Sequence, residues 1–285
     1  MQYDRSRMTP ARTPPPLLQR LLPSPLMKAS ALLHLGAAGS LAAVPDAWPW
    51  VGGAVIANHL ILAGSGLAPR SSWLGPNLNR LPASAAARGS IALTIDDGPD
   101  PQVTPRVLER LAERGAQATF FCIGGLVARH ADLAREIVRR GHAIENHSHR
   151  HLGHFSLLSS GAITREITQA QETITATCGS PPRFFRAPAG LRNPLLEPEL
   201  ARLGLRLASW TRRGFDTRSR DAGAVLARLS RGLSGGDILL LHDGGGARTR
   251  TGSPVILEVL PRLLDAAAEA GLAPVTLRAA CDGIQ

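Results

Sequence analysis

Cysteine is scarce in this 285-residue chain, and Cys122, Cys178 and Cys281 lie far apart with no Cys-x-x-Cys pair. That excludes a disulfide framework and a thiolate zinc site, and it leaves Cys122, inside the apolar run ATFFCIG, as a small core residue. Aromatics are equally thin at 4%, so the core must be built from Leu, Val, Ile and Ala. A hydrophobic content of 44% is nevertheless too high for a disordered chain. Also missing is a basic stripe with interleaved aromatics, although the net charge is +10. Residues 1–90 carry eight Lys or Arg against two Asp, so +6 of that charge sits in the first third of the chain. This distribution argues against a nucleic-acid partner.

Charge itself is absent from two N-terminal stretches, 29–45 and 47–69, which follow a Pro- and Arg-rich segment, 1–26, that reads as a disordered basic tail. A membrane-spanning helix needs about 20 apolar residues. The second stretch meets this and carries Trp48 and Trp50 at one edge, where an interfacial aromatic belt would sit. The first is at the short limit and diluted by Gly and Ser, so it either spans or lies in the interface. A second apolar stretch following directly, with no small-residue cleavage site before the folded region, speaks against a cleaved signal peptide. Arg5, Arg7, Arg12, Arg20 and Lys28 precede the pair, Arg70, Arg80 and Arg88 follow it, and the connection around Asp46 has no positive charge. If both stretches span, this bias puts both flanks in the cytoplasm of a bacterial inner-membrane protein; if only the second spans, the remaining domain is exported. The charge favours the hairpin.

Residues 70–90 read as a linker. Beyond them, short β-like runs (IALTI, ATFFCIG, HAIEN, RFFRAP, LRLASW, GDILLLHD, APVTL) are mostly followed by amphipathic helical patterns. Seven such runs predict an α/β fold with a parallel sheet, a (β/α) barrel of seven or eight units. The expected organisation is a tail, membrane segment and linker over 1–88 and one α/β domain over 89–285. Reactive groups of such barrels collect at the C-terminal ends of the strands.

Polar clusters fall at those ends. Asp96-Asp97-Gly98-Pro99 closes the first run, His147-Ser-His-Arg-His151 follows HAIEN, Arg186 ends RFFR, Asp216 follows LRLASW, and His242-Asp243 closes DILLL. Adjacent strand residues point to opposite faces, so two neighbouring carboxylates share a site only where the backbone turns, and Gly98-Pro99 supplies that turn. His147 and His151, four apart, face one point if they lie on a single helical turn. Two imidazoles and one carboxylate leave coordination positions open, as a catalytic metal requires. His142, His149 and His154 are not expected to ligate. The paired Asp then divides the work: one holds the ion, and the other takes a proton from the attacking water, oriented by the planar fork of Arg186. His242, with its ring held and its pKa raised by Asp216, can protonate a leaving amine.

TIDDGPD, HSHRH, RAPAG and LLLHD, in this order, resemble the motifs of the polysaccharide deacetylase family, the NodB-homology or carbohydrate esterase family 4 domain, over residues 89–285. The resemblance implies a distorted (β/α) barrel that hydrolyses N-acyl groups on amino sugars. It implies Asp96 as catalytic base, Asp97, His147 and His151 as ligands of a divalent metal, Zn2+ or another divalent ion, and His242 as general acid. It further implies Arg186 beside the base, the backbone amide of Ala189 as oxyanion donor, and Leu240 lining the acyl pocket. Two departures stand out. Ala189 replaces the usual tyrosine, and of the family's Asp-x-x-Asp-Trp motif Asp216 remains without the tryptophan, so the pocket wall is expected to be lost. The implied partner is an N-acylated poly- or oligosaccharide; the membrane segment, which adds the membrane as a partner, and the altered pocket make a deacylase or deformylase of a lipid-linked amino sugar the runner-up. A catalytically silent carbohydrate-binding domain is the non-enzymatic alternative, weakened because binding requires neither Asp96 nor His242.

Overall fold

The computed structural model describes residues 22–282. Most of the basic tail, with Arg5, Arg7, Arg12 and Arg20, lies outside the described residues. Two antiparallel apolar helices come first, α1 (Pro25–Ala43) and α2 (Trp48–Leu67), both long and apolar enough to cross a membrane. Asn58 of α2 donates to Ser30 Oγ of α1 at 2.9 Å, whereas Leu32, Leu35, Ile56 and Leu60 are exposed on the outside of the pair. Polar groups bonded between the helices and apolar groups outside are the arrangement lipid favours. The stretch 29–45, read as either spanning or interfacial, is thus helical as far as Ala43, in a helix that begins at Pro25 and pairs with its successor.

The rest is an eight-stranded parallel sheet: β1 (Ser90–Asp96), β2 (Thr119–Cys122), β3 (Ala143–Asn146), β4 (Phe184–Phe185), β5 (Arg206–Leu207), β6 (Arg212–Arg213), β7 (Ile238–His242) and β8 (Ala273–Val275), with helices in the crossovers. The order is β5-β4-β3-β2-β1-β7-β6, and β8 pairs with the start of β1. The run LRLASW, read as one strand, contributes only β5; the next strand, β6, sits at the opposite edge of the sheet. At about 3.6 Å per residue the chain from Leu207 to Arg212 reaches no further than about 18 Å, so the two edges must curl towards each other. The result is a barrel with one unpaired seam.

Strand alternation sorts the side chains. Ile91, Leu93 and Ile95 of β1 and Leu239 and Leu241 of β7 point out to the helices. Ala92, Ile238 and Leu240 point into the barrel with Phe121 and Trp210. In register, Ala92 faces Ile238, Thr94 faces Leu240 and Asp96 faces His242. The interior therefore turns from apolar to reactive within four residues along two neighbouring strands.

The seam is sealed by the segment read as a linker. Leu78 forms a parallel bridge with Ala208, its amide donating to Leu207 O and its carbonyl accepting from Ser209 N, both at 2.9 Å. Leu81 donates to Gly236 O at 2.8 Å and is 1% exposed within the barrel cluster. Residues 69–81 are thus built into the wall, not strung between two bodies. Leu81→Ala is expected to cost about 2–5 kcal/mol, as for a buried Leu elsewhere, in denaturant unfolding of the detergent-solubilised chain; a tether would show no change.

Candidate active site

Asp96 ends β1 in regular strand geometry, and Asp97 follows with a φ of 74°. This left-handed residue is the turn that brings both carboxylates to one side. A side chain at Gly98 would meet the Asp243 carboxylate at 2.5 Å, so the loop after β1 packs directly on that after β7.

Asp97 Oδ1 lies 3.2 Å from Nε2 of both His147 and His151. The three donor atoms fall within 4.8 Å of one another. Burial works against charge on Asp97, but the adjacent His147, with the charges of His242 and His151, brings its carboxyl down to about 2. The two imidazoles are driven apart. Burial and the neighbouring His147 pull His151 down, while Asp96 and Asp97 outweigh burial at His147 and raise it.

The segment from His147 to His151 is not a helical turn, as the spacing suggested. It is a loop in which Ser148 (φ 61°) and His151 (φ 51°) are left-handed. Several bonds hold it. Asn146 accepts from Ser148 N at 2.9 Å and donates to Ile167 O at 3.0 Å. Ser148 Oγ accepts from His151 N at 3.1 Å, and the buried Glu166 accepts from Arg150 N at 2.9 Å. His147 Nδ1 donates to Arg186 O at 2.8 Å, which fixes the tautomer and leaves the Nε2 lone pair facing Asp97. The donor set therefore fits a divalent cation. It is one carboxylate and two correctly presented imidazoles, and Asp97 Oδ1 is buried without a hydrogen-bond partner. His149 lies outside the cluster.

Arg186 is 1% exposed. Nη1 donates to Asp96 Oδ1 at 2.6 Å and to Thr94 Oγ1 at 2.8 Å, Nη2 to Ser209 O at 2.8 Å, and Nε to Ala208 O at 3.2 Å. Its guanidinium lies 4.0 Å from the centre of the Phe121 ring. Asp96 Oδ2, the oxygen Arg186 does not take, stands 3.9 Å from His147 Nε2, towards the cluster. Across the sheet, His242 donates from Nδ1 to Asp216 Oδ1 at 2.9 Å and from its amide to Asp216 Oδ2 at 2.7 Å. Burial alone would lower its pKa; the Asp216 hydrogen bond and charge outweigh this and raise it.

Ala189 is exposed and left-handed (φ 55°), just after Arg186, and Leu240 is buried one layer beneath His242. Contacts and strand register thus join seven of the nine residues singled out from the sequence, Asp96, Asp97, His147, His151, Arg186, Asp216 and His242, with Leu240 below His242 on β7 and Ala189 on the loop after Arg186. An indole not assigned to the site from the sequence stands beside it: a side chain at Gly190 would run into Trp210 at 2.5 Å, and the Trp210 ring lies 5.7 Å from the Arg186 guanidinium. Sequence reasoning gave no role to Asn146, Glu166, Trp210 or Asp243. Asp243 is 2% exposed, accepts from Thr104 Oγ1 at 2.5 Å, and is pushed up to about 7 by burial. Its place directly after His242 was the available signal.

The profile described as "Polysaccharide deacetylase" matches residues 83–208. A peptidoglycan-N-acetylglucosamine deacetylase of Bacillus cereus is 34% identical over 194 residues, 67% of this chain and 85% of that protein. A chitooligosaccharide deacetylase of Sinorhizobium fredii is 33% identical over 168 residues, 59% of this chain and 78% of that one. Among solved structures, a family 4 carbohydrate esterase from Streptomyces lividans in complex with acetate superposes with a TM-score of 0.59 at 31% identity, covering 65% of this chain and 91% of that one. A family 4 pseudoenzyme from Bacillus anthracis shares the fold, with a TM-score of 0.64 at 23% identity over 73% of this chain and 69% of its own. With a relative matched over most of its length and the motifs assembled into one site, the chain belongs to the polysaccharide deacetylase family.

Proposed function

We propose that this protein hydrolyses the N-acetyl group of an amino sugar, releasing acetate and a free amine, with a divalent cation held by Asp97, His147 and His151. The observation that carries the reading is the register pair Asp96–His242: a base and an acid on adjacent strands beside the ligand cluster, each with its own orienting partner. A bound cation, Zn2+ or another borderline divalent ion, supplies Lewis acidity at the amide carbonyl and acidifies the attacking water.

The protein's own groups do the rest. Arg186, itself held by Thr94, fixes Asp96 so that Oδ2 is the oxygen that takes the water's proton. The Ala189 amide donates to the oxyanion as the carbonyl carbon becomes tetrahedral; because that contact is made by backbone, the missing tyrosine side chain does not remove it. When the C–N bond breaks, His242 gives the nitrogen its proton from Nε2, since Nδ1–H is held by Asp216. Leu240 and Trp210 offer an apolar wall for the acyl methyl. A catalytically silent binding domain would need neither member of the Asp96–His242 pair.

The roles separate experimentally. Asp96→Asn should retain bound metal and lose about 10²- to 10⁴-fold in kcat, the usual contribution of a general base. His147→Ala should lose metal and activity together. Metal content by plasma emission and acetate release from an N-acetyl-glucosamine oligomer provide the two readouts; equal metal loss in both variants contradicts the assignment.

Because His242 acts protonated and its pKa is raised, activity should fall as pH rises through that value. Asp216→Asn removes the raising partner, so the alkaline limb of the kcat profile should move to lower pH. An unmoved limb means that another group delivers the proton.

The flanking charges, Arg5, Arg7, Arg12 and Arg20 before α1, Lys28 in its first turn, and Arg70, Arg80 and Arg88 after α2, favour a hairpin with the barrel in the cytoplasm. A fluorescent protein that matures only in the cytoplasm, fused after Gln285, should be bright. A dark fusion at normal expression indicates an exported domain.

A further inference from the structure

The helix pair is joined to the reactive face of the barrel itself. Gly66, in the last turn of α2, accepts from Arg192 N at 3.1 Å. Arg192 is 4% exposed and also donates to Ser71 O. Two residues past the end of α2, Pro69 O accepts from Ser209 Oγ at 2.6 Å, and the Pro69 ring closes with Trp210 over Gly190. Gly190 adjoins Ala189, the proposed oxyanion residue. With about 3.8 Å between successive Cα atoms, that amide lies within about 10 Å of the Pro69 ring, two residues past the helix end. The 20 residues of α2 rise about 1.5 Å each, matching the roughly 30 Å hydrocarbon core. With Trp48 and Trp50 at the far boundary, Leu67 to Pro69 marks the near one.

A second observation points the same way. After Leu67, the large apolar side chains exposed among the described residues are Trp73, Leu157, Leu195 and Phe215. The first three lie on segments bonded to one another around the end of α2. Trp73 N donates to Ser71 Oγ at 3.1 Å, and Ser71 is held by Arg192. Asn193, next to Arg192, accepts from Leu195 N at 3.0 Å and donates to Leu158 O at 2.9 Å, beside Leu157. A tryptophan and two leucines, 61%, 45% and 82% exposed for Trp73, Leu195 and Leu157, are costly in water and favourable at a headgroup boundary.

We propose that this rim is seated on the bilayer surface, continuing the contact made by α1 and α2. The site then acts on amino sugars held at the membrane by a lipid anchor in preference to free saccharides. The inference rests on the deacetylase reading and on the helices spanning.

Its test uses the full chain in proteoliposomes. The substrates are N-acetylglucosamine linked to a polyprenyl phosphate in the same vesicles and a soluble N-acetylchitooligosaccharide. The parent should favour the lipid-borne substrate in kcat/KM. Combining Trp73→Ser, Leu157→Ser and Leu195→Ser should cut that value at least tenfold and leave the soluble one unchanged. Preference for the soluble substrate, or equal loss on both, overturns the proposal while leaving the deacetylase reading intact. A measurement independent of turnover covers the case in which neither substrate is cleaved. In a Cys178→Ser background, a nitroxide on Leu195→Cys should be relaxed more by oxygen than by a water-soluble nickel chelate, with the opposite result on Glu113→Cys at the far end of the barrel. A water-like response at Leu195 overturns the seating.

Discussion

The buried ion pair between Arg186 and Asp96 is the contact on which the site depends. Both side chains are removed from water, and at this depth the loss of one partner would leave an uncompensated charge at a cost of about 3–5 kcal/mol. The geometry that avoids this cost recruits most of the barrel. Arg186 reaches β1 through Asp96 and Thr94, and it reaches the seam through the carbonyls of Ala208 and Ser209. Its own carbonyl orients His147. One residue thus positions the proposed base, selects the tautomer of a proposed ligand and anchors the segment joining the sheet's two edges.

The rest of the chemistry follows from strand periodicity. Because β1 and β7 run parallel and in register, the same alternation that sends Ile95 and Leu241 to the outer helices sends Asp96 and His242 to a common interior. The left-handed turn at Asp97 then adds a carboxylate that strict alternation would have pointed away. Two acidic residues in sequence acquire different environments from a single backbone torsion.

This is why so much of the site was legible in the sequence. Strand ends can be read from apolar runs, and each polar cluster sits where a run stops. What could not be read depends on contacts remote along the chain. His147 and His151 converge through left-handed residues held by Asn146 and Glu166, a result that mimics a helical turn in spacing but not in backbone. Trp210 reaches the site because β5 and β6 lie on opposite edges, which no local pattern announces. Residues 69–81 carry the Pro, Asn and Ser of a connector, yet their partners lie more than 120 positions further on.

That last separation has a consequence for how the molecule is made. The bonds from Leu78 to Leu207 and from Leu81 to Gly236 join residues more than 120 positions apart, and each closes a long loop at an entropic cost. The segment 69–81 is synthesised well before the residues it bonds, so the seam cannot close until the chain has been made as far as Gly236. A fragment trimmed to begin at β1 would lose that segment and leave an open-sided barrel, so the N-terminal helices and the barrel cannot be exchanged like a tag and its cargo.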